Sequence, residues 1–110
     1  MDVQVTVNAD LFKEAKDEAI QRALEKIGQA AESYAKLNLE RLPRRVDTGR
    51  LRNSISHTND KDTAYVGTNV EYAPYVEFGT VKMAPNSFLR DAVLENLTEY
   101  QAIAEAELKG

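Results

Sequence analysis

From Asp10 to Arg41, apolar residues return at three- and four-residue steps: Phe12, Ala15, Ala19, Ile20, Ala23, Leu24, Ile27, Ala31 and Tyr34. That period places them on one stripe of an α-helix. The intervening Ala, Leu, Glu, Lys and Gln all favour helix. Asn8 or Asp10 can cap the start with a side-chain oxygen, and Pro43 stops the run. A helix of about 30 residues would be a rod roughly 45 Å long. A chain of 110 residues does not need such a rod to be compact, so part of it is expected to project or to be covered by a neighbour. Gly28 lies inside the stripe and marks either a bend or a close contact.

The remaining segments are shorter. Val3, Val5 and Val7 alternate with polar residues, which predicts a strand at a sheet edge or one ordered only on assembly. Asp47-Thr48-Gly49 suits a tight turn or the cap of one helical turn, with Leu51 and Ile55 as apolar anchors. A β-hairpin is expected over 52–68, with strands at 53–58 and 63–68 around the polar turn 59–62. A short helix over 70–78 follows, capped by Asn69, with Pro74 in its first turn and Gly79 at its end. Tyr72, Val76 and Phe78, or Tyr72 and Tyr75, are its expected buried side. A mobile loop over 80–87 and a last amphipathic helix over 87–108 complete the chain, with Asn86 or Ser87 as cap. Two long helices against a small antiparallel sheet make a single α+β domain.

Composition narrows the function. Hydrophobic residues are 43% and charged residues 29%, a globular balance that can support a core. There are no cysteines, which excludes disulfides and thiolate zinc sites and fits a reducing compartment such as bacterial cytoplasm. No apolar run approaches the ~20 residues of a membrane helix, and the start of the chain, acidic and alternating, does not resemble a signal peptide. A net charge of −4 disfavours general nucleic-acid binding. Arg41, Arg44, Arg45, Arg50 and Arg52 nevertheless fall within twelve residues. They form either a solvated loop whose arginines pair with nearby acids or a contact for a partner protein or DNA.

Enzyme templates each lack a part. The single histidine, His57, is expected at an exposed hairpin position without a catalytic role. Glu71 and Glu77 are six residues apart on a short helix and point in different directions, so they make no acid–base pair. Glu77 sits between Val76 and Phe78, which implies partial burial and a need for a cation or hydrogen-bond donors, with an arginine of the basic loop as one candidate. Placing Asp60 first in a calcium loop puts Tyr65 where glycine is required. No phosphate-binding glycine loop is present. A hydrolase centred on Asp47 and Glu77 would lack any base–nucleophile pair. No catalytic residue, metal ligand or cofactor is assigned. Tyr72, Tyr75 and Phe78 could stack on bases, but their spacing fits core packing better.

Val46-Asp47-Thr48-Gly49-x-Leu51-x-x-Ser54-Ile55, then Val66-Gly67-Thr68, then Tyr72-Ala73-x-Tyr75-Val76-Glu77-Phe78-Gly79-Thr80, then Phe88-Leu89-Arg90-x-Ala92 form an ordered set of motifs. In order and spacing this set resembles a widespread group of neck or tail-completion proteins of long-tailed bacteriophages, often described only as a tail component. The resemblance covers about residues 20 to 95. The family commonly has proline before the phenylalanine at 88; here Ser87 stands there and Pro85 comes earlier.

The resemblance implies a virion or prophage structural protein and no enzyme activity. It would be made in the bacterial host cytoplasm and placed at the head–tail junction. Copies would form a ring between the connector or head-closure protein and the tail terminator, with genome DNA passing through the lumen and no membrane involved. On this reading Asp47, Thr48, Gly49, Leu51, Ser54, Tyr72, Ala73, Glu77, Phe78, Gly79, Thr80 and Phe88 are structural, and Arg44, Arg45, Arg50 and Arg52 are the candidate contacts to a partner or to DNA. The alternative from the residues alone is a small DNA-binding module using the Arg44–Arg52 loop.

Overall fold

A computed structural model describes residues 1–7, 9–41 and 48–109. The fold is α+β. It comprises β1 (Asp2–Val5), a 3-10 turn at Ala9–Phe12, α1 (Asp17–Asn38), a second 3-10 turn at Leu39–Arg41, α2 (Thr48–Ser54), β2 (Ser56–Asn59), β3 (Ala64–Gly67), α3 (Ala73–Phe78), α4 (Phe88–Leu94) and α5 (Leu97–Lys109). The molecule measures 49 × 21 × 18 Å.

The first helix begins at Asp17, not at Asp10. Phe12 lies in the preceding 3-10 turn, which packs on α5, so the apolar stripe spans two elements with a break between them. Asp10 does not cap α1 but pairs with Lys13 at 3.1 Å. The alternative cap Asn8 and the expected stop Pro43 lie outside the described residues. At 22 residues α1 is roughly 33 Å long. Ile20, Ala23, Leu24, Ile27, Gly28, Ala31 and Ala35 are all buried, which makes it the central element, with the sheet on one flank and α4 and α5 on the other.

The sheet order is β1-β3-β2, antiparallel throughout, so β1 is an edge strand. Register places Val5, Ala64 and Asn59 in one row and Val3, Val66 and His57 in the next, all on the face toward α1. Ser56 and Thr58 point to solvent, as their polarity predicts. The hairpin is narrower than 52–68 because residues 48–54 are helical. Its turn is closed by Asp60, whose Oδ1 accepts the amides of Asp62 and Thr63 at 3.0 and 2.8 Å. The carboxylate of Asp60 is thus used to close a turn, in line with the failed calcium-loop match.

The C-terminal amphipathic pattern is divided into two helices. Ala92 O accepts both the Asn96 side-chain amide, at 3.0 Å, and the Tyr100 hydroxyl. These two groups occupy the carbonyl that a continuous helix would use, and the backbone turns at Glu95–Asn96. Tyr100 is fully buried, and that burial pushes its hydroxyl pKa far above the usual phenol value.

Candidate functional site

The motif residues converge where α2, the end of β3, α3 and the start of α4 meet. Leu51, Ala73 and Phe88 are buried there with Val76 and Leu89. Around this apolar centre run three polar connections.

The first is a chain of hydroxyls. Val70 N–H donates to Thr68 Oγ1 at 3.1 Å, Thr68 Oγ1 pairs with Ser54 Oγ at 2.5 Å, and Ser54 Oγ donates to Leu51 O at 2.6 Å. Each hydroxyl has one proton, so Thr68 must donate to Ser54. The relay has one direction and ties α2 to the exit of β3. Thr68, and not the expected Asn69, organises the backbone that leads into α3. Replacing Thr68 by Val keeps the shape and deletes the relay, leaving a buried amide without an acceptor. We expect a loss of about 2 kcal/mol, read as a lower urea midpoint at unchanged m-value.

The second connection is Arg50. Its guanidinium donates to both carboxylate oxygens of Glu71 at 3.0 Å and lies 5.5 Å from the Tyr72 ring centroid. The same guanidinium holds the Glu71 carboxyl below its usual range. Arg52 faces Glu40 at 3.9 Å, and Arg41 faces Asp91 at 3.3 Å and Asn86 at 2.7 Å. All three described arginines of the basic stretch therefore meet acids of their own chain. Arg44, Arg45 and Asp47 lie outside the described residues, as does the Thr48 side chain. Gly49 is exposed in the first turn of α2.

The third connection is Glu77, which is 1% exposed. Among the described residues no arginine of the basic loop pairs with it. Its two carboxylate oxygens accept the backbone amides of Leu89, at 3.0 Å, and Arg90, at 3.2 Å, at the start of α4. A carboxylate at that position satisfies free amides and complements the positive end of the helix dipole. It takes the capping role expected of Asn86 or Ser87: Ser87 precedes the helix without a side-chain cap, and Asn86 instead bridges to Asn38 O.

Gly79 ends α3 with φ 80° and ψ 175°, a region open essentially only to glycine. Beyond it, Thr80 N–H donates to Met83 O at 2.8 Å, Thr80 Oγ1 accepts Lys82 N–H at 3.2 Å, and Asn86 N–H donates to Val76 O at 2.8 Å. Those bonds fold residues 80–83 into a tight turn. The buried side of α3 differs from the expected one. Ala73, Val76 and Glu77 are the buried positions, whereas Tyr75 is 62% and Phe78 61% exposed. A helix of six residues has room for one buried stripe, and positions i, i+3 and i+4 take it.

One cluster has no counterpart in the expectations above. His57 is not an exposed hairpin residue; its side chain is 18% exposed and packs over Gly28. Nδ1 lies 3.1 Å from Glu32 and Nε2 3.0 Å from Glu25, both on α1. A Cβ at Gly28 would sit 2.7 Å from the ring, so Gly28 is a notch for the imidazole and not a bend. The signal was available: a glycine on a helix face with Glu three residues before and four after frames a ring with acids at both ends. Burial alone pushes the His57 pKa down, but hydrogen bonds to Glu25 and Glu32 outweigh it and hold the pKa above its ordinary value of 6.5. His57 in turn holds Glu25 below its usual range.

A raised histidine pKa contributes stability that is fully present below the unfolded value and is lost as pH rises through the folded one. The Tm advantage of the protein over a His57→Gln variant should be largest just below pH 6.5 and shrink as pH rises through the raised pKa. A pH-independent difference would refute the clamp.

Among the described residues no group of three or more His, Cys, Asp or Glu is placed to hold a metal, and no helix is long and apolar enough to cross a membrane. A cleft of about 480 Å³, open to solvent, is lined by Gln21, Arg22, Glu25, Lys26, Gln29 and Asn59, away from the motif residues.

A family model matches residues 5–79, which includes α1, the Ser54–Thr68 relay and Gly79, and stops short of Phe88. No curated protein and no solved structure matches the chain. The matched model covers more than half of the chain, and the protein therefore belongs to the family described as "Bacteriophage HK97-gp10, putative tail-component", a family of phage tail components.

Proposed function

We propose that this tail component is a subunit of the head–tail junction, acting as one structural unit. Copies close a ring between the connector or head-closure protein and the tail terminator, and DNA passes through its lumen. The observation that carries this reading is the use of the described polar groups of this region for internal bracing. Ser54, Thr68 and Glu77 of the motifs, and Arg50 beside them, are each satisfied within the chain, while large apolar groups on α3 and the turn after it face outward. Such a unit is equipped to pack against other proteins.

The test is genetic and visual. Removing the gene from its phage should give filled heads and separate tails that fail to join, and adding the purified protein should restore joined particles with a ring at the neck. Joined, infectious particles without the protein would refute the reading. In the DNA-binding alternative, Arg50 and Arg52 would have to exchange their carboxylate partners for phosphates. Anisotropy titration of duplex DNA at low salt should show no steep salt-dependent binding.

A further inference from the structure

Two exposed apolar groups lie on different parts of the chain, and they are unlike. The first is a knob. Tyr75 and Phe78 stand one turn apart on α3, and the following turn carries Val81, 105% exposed, at its tip beside Lys82. The turn is held by the Thr80–Met83 pairing and by Gly79, so the knob is shaped before it meets anything.

The second is a seam. Arg41 of the turn after α1 pairs with Asp91 of α4, and Tyr34 of α1 faces Glu99 of α5, which raises the tyrosine's pKa. Leu37 falls between Tyr34 and Arg41, and Leu94 and Leu97 fall between Asp91 and Glu99. All three leucines are exposed, and they stand on helices that pack side by side, α1 against α4 and α5. Glu95 sits between Leu94 and Leu97, at the break between the helices. Neither Lys82 nor Glu95 has an oppositely charged partner among the described residues.

We infer that the knob of one copy docks on the leucine seam of the next, with Lys82 of one copy facing Glu95 of the other. This rests on the ring reading above and names its contact. Both parts are complementary in kind: a projecting apolar tip with a free cation, and an apolar strip with a free anion. Knob and seam are different surfaces of one chain, so the contact is heterologous, and repeated rotation either closes it into a ring or extends it. A contact of knob to knob would instead bring two Lys82 side chains together.

The chain has no cysteine, so an introduced pair reports directly. Val81→Cys and Leu94→Cys proteins are prepared separately; both positions are exposed, so folding is not at stake. Under mild copper–phenanthroline oxidation, the mixture should form a disulfide-linked dimer containing one of each, several-fold above either protein alone. Lys82→Glu in the Val81→Cys protein should lower that yield, and Glu95→Lys in its partner should restore it. Dimers of Val81→Cys protein alone at equal yield, or no mixed dimer at all, overturn the contact. The double-cysteine protein is then tested in phage particles. Rings seen at the neck without an 81–94 link would sink this contact and leave the ring reading standing. A link from position 81 to a different virion protein would also overturn it. Absence of rings together with absence of the link would remove both.

Discussion

Glu77→Ala should lower the melting temperature by about 15 °C, corresponding to a loss of about 4 kcal/mol in a domain of this size. Its carboxylate is almost fully buried and accepts two backbone amides, those of Leu89 and Arg90. Hydrogen bonds to a charged acceptor contribute about 1.5–3 kcal/mol each, and truncation also leaves the Leu89 amide buried without a partner. Total stabilities are only about 5–15 kcal/mol, so the change removes a large share. Glu77→Gln retains one acceptor oxygen but points an amine at the other N–H, so it should fall between wild type and Ala. Glu71→Ala is the control: that carboxylate is exposed, and its pair with Arg50 should matter little. Differential scanning calorimetry of the three variants orders them. Equal effects at positions 77 and 71 would contradict the capping role.

Gly79→Ala should cost about 3 kcal/mol and act on assembly as well as on stability. At φ 80° an L-residue is strained, and a Cβ would lie 2.8 Å from Pro85 N and 2.9 Å from Met83 O. Both are backbone atoms, so no side chain can swing away to make room. Relief requires the 80–83 turn to reorient, and that turn carries Val81 and Lys82. The variant should therefore lose the 81–94 crosslink under conditions where it is still folded by circular dichroism. Retention of both the crosslink and the wild-type Tm would show that the turn tolerates the side chain.

Much of the fold is legible in the residues. The α1 stripe, the polar turn at 59–62, Pro74 and Gly79 follow from local rules that act within a few residues, and those elements appear as expected in kind. Pairings between distant segments are not local. Nothing in Val3 or Val5 says that β1 joins β3 rather than β2. The division of the last helix depends on Tyr100 reaching back to Ala92, which is invisible to apolar periodicity. Glu77 was readable as a buried carboxylate in need of donors, but a side-chain cation is the partner that sequence brings to mind. Here the donors are main-chain amides, which every residue carries and no pattern marks. Tyr75 and Phe78 were misplaced for a related reason. Their hydrophobicity fits a core, and only the small size of α3 shows that its buried stripe is already filled.

The hydroxyl relay through Thr68 and Ser54 also constrains how relatives of this chain can diverge. Each link both accepts and donates, so losing the Ser54 hydroxyl leaves the Thr68 proton without an acceptor, and losing the Thr68 hydroxyl leaves the Val70 amide without one. Substitution at 54 is penalised unless the residue at 68 still accepts the Val70 amide but no longer needs an acceptor for a proton of its own. Across the lineage, positions 54 and 68 are expected to change together, so that the history of one can be read from the residue at the other.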